Sequence, residues 1–406
     1  MRKKILFVIN TFSRAGAETA LLDLLYKLDG INDAAEDKKY EISLFVLMGQ
    51  GELASRLPES VHLLNRKYSM DSVLEPRGKR HMIATVLKAL LHKGTGVRLT
   101  PYMLKAYRQM RRSGEVRIDK LLWRALSDGA PEFDETYDLA IAFLEGGSAY
   151  YVADHVKAKK KAGFIHTDYI QARYTTQLDG GCYDKMDGIF AIGEHVRDTF
   201  LQVHPECKNK IQIFHNIINT EAIRSKACLQ GGFTDPYDGF RILTVGRLID
   251  EKAYPVAIET MRLLRADDIQ AKWYVLGEGD KRKELENLII EAHLEECFYL
   301  LGAEENPYPY FAQCDLYVHA TKIEGKSIAI QEAQVLGCPI VASEINREQI
   351  TDGTDGFVRN LDPNALKEAI ETLIQNPQMR KKFGEMAQKR VNRYEKDVEL
   401  IDDLLK

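Results

Sequence analysis

Short apolar runs alternate with amphipathic stretches along most of this chain, and this alternation is the feature that most limits its fold. In the second half the runs are FRILTVG, WYVLG, CFYLLG, DLYVHAT, PIVAS and DGFVRN, and patterns such as DKRKELENLIIEAHL separate them. Strands that alternate with helices predict a parallel sheet with helices on both faces. The continuous apolar character of the runs suits strands that are buried on both sides.

The first half repeats the alternation with a looser middle, through KKILFVIN, YEISLFVLM, DLAIAFL, KAGFIH, GIFAIG and KIQIFHN. A turn-rich connector, GGFTDPYDG, then interrupts the pattern. We therefore predict an α/β fold with two doubly wound, Rossmann-like domains, 1–218 and 219–385, and a C-terminal helix at 386–406 that returns to the first domain. Ligands of such sheets bind beyond the carboxyl ends of the strands, so two facing domains would place a cleft between them.

No stretch approaches the roughly 18 apolar residues of a membrane span, and the run Ile5–Ile9 is too short for the hydrophobic core of a signal peptide. Six scattered cysteines without paired spacing are typical of reduced thiols. We expect a cytoplasmic protein, either soluble or peripheral on the inner face of the membrane.

Segment 77–124 differs from the rest in charge, because thirteen lysines and arginines stand against two acidic residues, a net charge of +11 in a chain whose total is −4. Within it, HMIATVLKALLHK has apolar residues at helical spacing, namely Met82, Ile83, Val86, Leu87, Leu90 and Leu91. An amphipathic basic stretch suits an anionic membrane surface. The alternative is a packed core helix with a solvated basic face. We expect no nucleic acid partner, since no nucleic-acid-binding motif accompanies the charge.

Two glutamates in KIEGKSIAIQEAQVLG, Glu324 and Glu332, are separated by seven residues. If Gly325 to Ser327 open a helix, its first N–H groups form an anion site, and a diphosphate bound there would have a carboxylate on either side. Carboxylates accept hydrogen bonds from paired hydroxyls, so Glu332 is suited to a ribose and Glu324 to a sugar. Taken alone, the pair also fits an ordinary helix with one exposed glutamate, preceded by a solvated loop that carries the other.

Further candidates follow other predicted strands. Arg247 and Lys252 in VGRLIDEKAY lie just beyond FRILTV, where two cations can clamp a diphosphate, although loop cations are also common on surfaces. Gly16 in SRAGAE allows close backbone approach at the start of a helix, or forms a simple tight turn.

Together GRLIDEK, the GEG after WYVL, and EGKSIAIQEA resemble the retaining GT-B glycosyltransferases, specifically glycosyltransferase family 4, and AGAE and GFIHTDY are similar to that family's first domain. The resemblance implies transfer of a hexose from a nucleotide sugar, by default a UDP-sugar, to a glycan or lipid-linked acceptor in surface polysaccharide or glycolipid synthesis. It implies that His166, Arg247, Lys252 and Glu324 are catalytic. The donor-binding residues that it implies are Gly16, Arg247, Lys252, Gly302, Ala303, Glu324, Lys326, Ser327, Ile328 and Glu332.

Two positions depart from the family pattern, since Ala253 stands where the family usually has glycine and Lys326 where an aromatic residue is common. His166 has the alternative of an ordinary core histidine. No Asp-x-Asp pair occurs to hold a metal on the diphosphate, so we expect neither a metal nor another cofactor. Retention is implied by resemblance, through a front-face reaction, with Glu145 in FLEGGS as an alternative nucleophile.

Two other hypotheses about the function stay open at this point. A GT-B chain can serve as a non-catalytic partner or chaperone subunit, although both glutamates, both cations and the histidine are present here. A nucleotide-sugar epimerase is the other. A nicotinamide dehydrogenase is disfavoured, because the first strand is not followed by GxGxxG and no acidic residue ends the second.

Overall fold

The computed structural model describes residues 2–35, 39–72, 75–112, 118–324 and 326–406. The chain divides into two compact units, one ending at Ile217 and including Lys396–Lys406, and the other spanning Ile218–Glu395. Each unit has one parallel sheet of its own with helices between the strands, which confirms the predicted α/β class with two doubly wound domains.

The first unit contains a seven-stranded sheet in the order β3-β2-β1-β4-β5-β6-β7. Its strands are β1 Lys3–Ile9, β2 Tyr40–Val46, β3 Val61–Leu63, β4 Thr136–Ala142, β5 Lys157–Ile165, β6 Gly188–Ala191 and β7 Ile211–Ile213. Its helices are α1 Gly16–Ala34, α2 Pro76–Leu91, α3 Thr95–Arg98, α4 Thr100–Arg112, α5 Ile118–Gly129, α6 Gly147–His155, α7 Thr176–Asp179 and α8 Glu194–Val203.

The second unit contains a six-stranded sheet in the order β10-β9-β8-β11-β12-β13. The strands are β8 Phe240–Val245, β9 Ala271–Leu276, β10 Phe298–Gly302, β11 Leu316–His319, β12 Ile340–Ser343 and β13 Phe357–Arg359. The helices are α9 Thr220–Ala227, α10 Tyr254–Ala266, α11 Arg282–Glu291, α12 Tyr308–Gln313, α13 Ile328–Leu336, α14 Pro363–Gln375 and α15 Pro377–Tyr394, and α16 Glu399–Leu405 belongs to the first unit.

Alternate residues of the buried strands pack into separate cores on the two faces of the second sheet. In β9, Trp273 and Val275 join one apolar cluster, while Tyr274 and Leu276 join the other. This two-sided burial explains why the strands read as continuous apolar runs rather than as alternating ones.

Strand order reverses between β1 and β4 in the first sheet and between β8 and β11 in the second. At such a switch point the loops after the two strands leave in opposite directions and open a crevice at the carboxyl edge. The loops after β8 and β11 carry Arg247, Lys252 and Glu324, and the loop after β1 leads to Gly16, the first residue of α1. The topology therefore places these predicted residues at the two switch points.

The C-terminal segment packs on the first unit. Lys3 Nζ donates to the carbonyl of Leu405 at 3.2 Å, and Asp402 accepts from Lys39 and Tyr40. The preceding helix α15 runs continuously through residue 386 to Tyr394 within the second unit. The segment that belongs to the first unit thus begins at Lys396, ten residues after the predicted boundary.

Candidate functional site

A buried ion pair joins the two loops at the switch point of the second sheet. Lys252 Nζ lies 2.8 Å from each carboxylate oxygen of Glu324. The two side chains are only 17% and 18% exposed. The sequence motifs predict that these two residues contact different parts of a ligand. In the structure they form an ion pair with each other.

Glu324 has a second partner, because Nε2 of His319 lies 2.5 Å from its Oε2. Burial would raise the pKa of Glu324, but the interactions with His319 and Lys252 outweigh it and lower this pKa to about 2. Glu324 is therefore a carboxylate at any physiological pH. An ionised carboxylate only accepts hydrogen bonds, which suits hydroxyl groups or cations as its partners.

Helix α13 begins at Ile328, and Ser327 is its N-cap residue. The backbone N–H of Ser327 donates to Oε1 of Gln349 at 2.6 Å, and Nε2 of Gln349 donates back to the Ser327 carbonyl at 2.7 Å. In this structure Gln349 thus accepts from the Ser327 N–H, and the predicted phosphate contact of the Ser327 backbone stays a prediction. Ile328 and the next two residues carry N–H groups without intrahelical acceptors. Gly325 lies outside the described residues.

Glu332 follows one turn into α13 and differs sharply from Glu324 in its electrostatics. Its Oε1 accepts from the hydroxyl of Tyr308 at 3.0 Å. Burial of the carboxyl group raises the pKa of Glu332 to about 7, against the opposing effects of the Tyr308 hydrogen bond and the charge of Lys226. A carboxyl group of this kind is costly to ionise, and hydroxyl donors from a ligand would stabilise its charged form.

Glycines let the ends of three neighbouring strands come close together. The N–H of Gly277 donates to the carbonyl of Gly302 at 2.7 Å, and a Cβ on Gly277 would lie 1.9 Å from the carbonyl oxygen of Gly246. Gly302 has a φ of +93°, which favours glycine. The exposed Ala303 follows directly, so the predicted base-binding pair lies at this edge of the sheet.

The remaining predicted cations differ in their surroundings. Arg247 is exposed, and its side chain has no polar partner among the residues that the structure describes. Lys326 is half-buried and lies with Nζ 4.3 Å from the ring centroid of Tyr394 on α15. Arg247 is therefore available to an anionic ligand, whereas Lys326 would have to leave an aromatic ring.

Ala253, which departs from the family pattern, is fully buried and adopts a left-handed conformation with φ of +45°. This conformation costs a residue with a Cβ about 1–2 kcal/mol relative to glycine. The turn after Lys252 therefore keeps a glycine-like backbone with an alanine side chain.

In the first unit, a buried carboxylate holds the loop that carries His166. Glu145 follows β4, and its Oε2 accepts the backbone N–H of His166 at 2.9 Å while its Oε1 accepts the hydroxyl of Thr167 at 2.8 Å. Both oxygens of Glu145 are engaged within the protein, so the structure favours an anchoring role over that of a nucleophile.

The ring of His166 is buried against Phe143 and Phe164, at centroid distances of 5.0 and 5.9 Å. Burial lowers the pKa of His166 to about 3, so the imidazole is neutral at physiological pH. Its Nε2 has no hydrogen-bond partner among the described residues. A neutral ring with an unused nitrogen can make a hydrogen bond to a hydroxyl group.

The apolar residues of α2 divide into a packed set and an exposed set. Met82 and Val86 pack against the core of the first unit, whereas Ile83, Leu87 and Leu91 are 58, 55 and 82% exposed. Val97, Leu104 and Tyr107, on α3 and α4, are also exposed. Residues 113–117 of the basic segment lie outside the described residues. Within the described part of the chain, no helix has the length and hydropathy that a membrane span requires.

Several polar partners at this edge have no signal in the sequence motifs, namely Tyr308, Tyr317, His319 and Gln349. The only available hint was a histidine two residues after a tyrosine in an otherwise apolar strand, which places both on one face. Among the described residues, no group of three His, Cys, Asp or Glu side chains could hold a metal ion.

Comparison with known proteins gives a consistent result. Residues 234–390 match the family model described as Glycosyl transferases group 1. The N-acetylgalactosamine-N,N'-diacetylbacillosaminyl-diphospho-undecaprenol 4-alpha-N-acetylgalactosaminyltransferase of Campylobacter jejuni is 30% identical over 228 residues, which cover 55% of this chain and 60% of that protein. The poly(glycerol-phosphate) alpha-glucosyltransferase of Bacillus subtilis is 26% identical over 163 residues, 39% of this chain and 24% of its own length. The matches thus span 60% or less of these relatives.

Among solved structures, HepE of Anabaena in complex with UDP has a TM-score of 0.68 and 16% identity, with 99% of each chain covered. TarM has a TM-score of 0.67 and 14% identity, with 100% of this chain and 99% of that chain covered. These likenesses confirm the predicted GT-B fold.

Proposed function

Because residues 234–390 match the Glycosyl transferases group 1 family model, we propose that this chain transfers a hexose from a UDP-sugar to a glycan or lipid-linked acceptor. The product would contribute to a surface polysaccharide or glycolipid. The observation that carries the proposal is the cluster of Lys252, Glu324 and the start of α13 at the switch point of the second sheet. It joins a cation, a permanent carboxylate and free helix N–H groups where α/β sheets bind nucleotides.

The proposed donor lies with its diphosphate between the two glutamates. The N–H groups from Ile328 onward and the cations Arg247 and Lys252 would bind the phosphates. Glu332 would accept the ribose hydroxyls, and Glu324 those of the transferred sugar. Gly302 and Ala303 would meet the base through their backbone. UDP is favoured by the complexes of HepE with UDP and with UDP-glucose.

Diphosphate binding requires Lys252 to share or exchange its partner. In the structure this ammonium group neutralises Glu324, and a diphosphate would offer it a stronger anionic partner. Cations aimed at the diphosphate stabilise the negative charge that develops as the sugar leaves. We therefore assign Lys252 and Arg247 to leaving-group stabilisation, and we expect the reaction to proceed in EDTA.

We propose retention of the anomeric configuration. The names of the relatives from C. jejuni and B. subtilis specify an alpha linkage, and for an α-linked donor an α-linked product means retention. Both oxygens of Glu145 are occupied by Thr167 and the His166 backbone, which supports a front-face reaction, with the leaving phosphate taking the acceptor proton, over a carboxylate nucleophile. His166 is neutral and would hydrogen bond to a sugar hydroxyl rather than exchange a proton.

We also propose that the exposed apolar residues of α2 to α4, with the basic residues around them, bind an anionic membrane surface from the cytoplasmic side. Ile83, Leu87 and Leu91 recur at intervals of four and form one exposed stripe on α2. Flotation with vesicles of anionic lipid tests this at low salt. Replacement of the three residues by Ser should abolish flotation, whereas Ile290→Ser, at a comparably exposed apolar residue of α11, should not.

The direct test of activity incubates the protein with UDP-hexoses and candidate acceptors in EDTA and measures UDP release and the glycan product. Acceptor-dependent release that Glu324→Gln abolishes would support the proposal. A converted sugar that remains on UDP would indicate an epimerase. Absence of both reactions, with no binding of UDP, would favour the partner-subunit function.

A further inference from the structure

Two buried polar side chains of β11, Tyr317 and His319, form a line of hydrogen bonds that ends at Glu324. The Tyr317 hydroxyl lies 2.9 Å from Nδ1 of His319, and Nε2 of His319 lies 2.5 Å from Glu324. The two residues are 0% and 2% exposed, and both lie on the same face of the strand. Buried groups so arranged hold one another in a fixed orientation.

The direction of these hydrogen bonds follows from the chemistry of the partners. Burial lowers the pKa of His319, an effect that Glu324 opposes, so the ring is neutral near pH 7 and carries one N–H. Glu324 is ionised and only accepts, so the proton lies on Nε2. Nδ1 is then an acceptor, and the Tyr317 hydroxyl donates to it at 2.9 Å rather than to the Val245 carbonyl, which is farther away at 3.4 Å. Glu324 thereby selects the tautomer of His319, and the Tyr317 hydroxyl holds the orientation of the ring through Nδ1.

Glu324 thus has two anchors of different character. Lys252 has a long side chain and, under the proposed function, turns toward the donor diphosphate. His319 extends from a buried strand, and its ring packs 5.8 Å from that of Tyr317. Only the second anchor stays in place when Lys252 changes its partner.

We propose that His319, oriented by Tyr317, is a positioning residue that holds the Glu324 carboxylate in place for the hydroxyls of the donor sugar. This inference rests on the proposed function of Glu324 and extends it to two residues of the strand below. His319 itself touches no substrate.

The test compares three substitutions of His319. His319→Gln can place an amide N–H near the position of Nε2, His319→Asn is too short for this, and His319→Leu removes the donor. A hydrogen bond to a charged group contributes roughly 1.5–3 kcal/mol, so the Leu and Asn variants should lose about 10- to 100-fold in kcat, with little change in the Kd of UDP. The Gln variant should recover most of this loss. Equal activity of the Gln and Leu variants, or undiminished activity of the Leu variant, would overturn the proposal.

A second measurement does not depend on catalysis or on the folding of a His319 variant. Nitrogen NMR of 15N-histidine-labelled protein reports the tautomer of each ring, and His319 should be protonated at Nε2. Tyr317→Phe should leave Nε2 protonated, because Glu324 only accepts, and should lower kcat about 3- to 10-fold because the ring loses the hydrogen bond that orients it. Protonation of Nδ1 in the wild type would overturn the proposal even if the enzyme is active. Loss of UDP-sugar turnover in the wild type itself would instead refute the proposed function.

Discussion

The two sheets reverse their strand order in the same way, yet the polar groups at their carboxyl edges are satisfied by different means. In the second unit, Glu324 is held by the side chains of Lys252 and His319. In the first unit, Glu145 is held by a backbone N–H and a hydroxyl of the next loop, and the neighbouring His166 is neutral.

This difference indicates that topology decides where a ligand binds and that charge decides what binds there. The second edge has two cations, Arg247 and Lys252, and helix N–H groups without intrahelical acceptors, which suit a diphosphate. At the first edge, both oxygens of Glu145 already accept hydrogen bonds from the loop of His166 and Thr167. The carboxylate holds this loop in place and does not attract an anion. Substitutions at four positions test this contrast, in order of decreasing expected effect.

Replacement of the cation at the second edge should have the largest effect. Lys252→Met should lower kcat/KM by roughly 10³-fold, about 4 kcal/mol, because it removes a charge that stabilises the leaving diphosphate. Steady-state kinetics with a UDP-sugar measures this. Lys281→Met is the control, since Lys281 pairs with Asp250 and Glu284 outside the cluster. Similar activity of the two variants would show that the charge at position 252 has no catalytic importance.

Substitution of Glu145 at the first edge should change the free energy of unfolding rather than the catalytic rate. Glu145→Leu leaves the buried N–H of His166 without an acceptor, at a cost of about 3 kcal/mol together with the lost Thr167 hydrogen bond. Glu145→Gln can accept the N–H and donate to Thr167, so its free energy of unfolding should stay within about 1 kcal/mol of the wild type. Denaturant unfolding measures both. An inactive but fully stable Gln variant would instead favour the nucleophile.

The free energy of unfolding should depend on pH through the carboxyl group of Glu332. Its pKa is raised to about 7 in the folded protein from the ordinary value of 4.5, so ionisation is harder in the folded state. The resulting destabilisation is absent below pH 4.5, grows as pH rises toward 7, and is complete above it. Glu332→Gln should therefore stabilise the protein by about 3 kcal/mol at pH 8 and hardly at all at pH 4. Thermal unfolding at the two pH values checks this, and an equal effect at both would contradict it.

The smallest effect is expected at Ala253. Ala253→Gly relieves about 1–2 kcal/mol of left-handed strain, but it loses about 0.8 kcal/mol of buried methyl and up to about 1 kcal/mol of unfolded-state entropy. The melting temperature should thus stay within about 2 °C. Gly337→Ala, at φ +74° and with a new Cβ 2.8 Å from Gln388, should lower it clearly. A rise of several degrees for Ala253→Gly would show that the loop stores more strain than its φ indicates.

Apolar runs predicted the strands of both sheets except β3, because the central strands are buried on two faces, whereas the three-residue strand β3 lies at an edge and contains an exposed histidine. The same logic brought Lys252 and Glu324 to one edge. It did not predict that they pair, since loop side chains turn toward partners that spacing does not specify. Tyr317 and His319 resembled ordinary core residues, and Gln349 comes from a loop after β12.

The division of the α2 residues was unpredictable for a related reason. Periodicity identified an apolar face, but Met82 and Ile83 lie about 100° apart around a helix. Which of them is buried depends on the neighbouring helix α5 and the sheet, and no local pattern contains this information.

The most direct test of the account is nucleotide binding to the second unit's site, measured by thermal unfolding of the purified chain with UDP, GDP or ADP in EDTA. At about 100 times Kd a ligand adds about 2.7 kcal/mol, which shifts the transition by several degrees. We predict that UDP raises the unfolding temperature, that Glu332→Ala abolishes this shift, and that Ile290→Ser, at an exposed residue, leaves it intact. No shift with any nucleotide, or a UDP shift that survives Glu332→Ala, would contradict the proposed donor site.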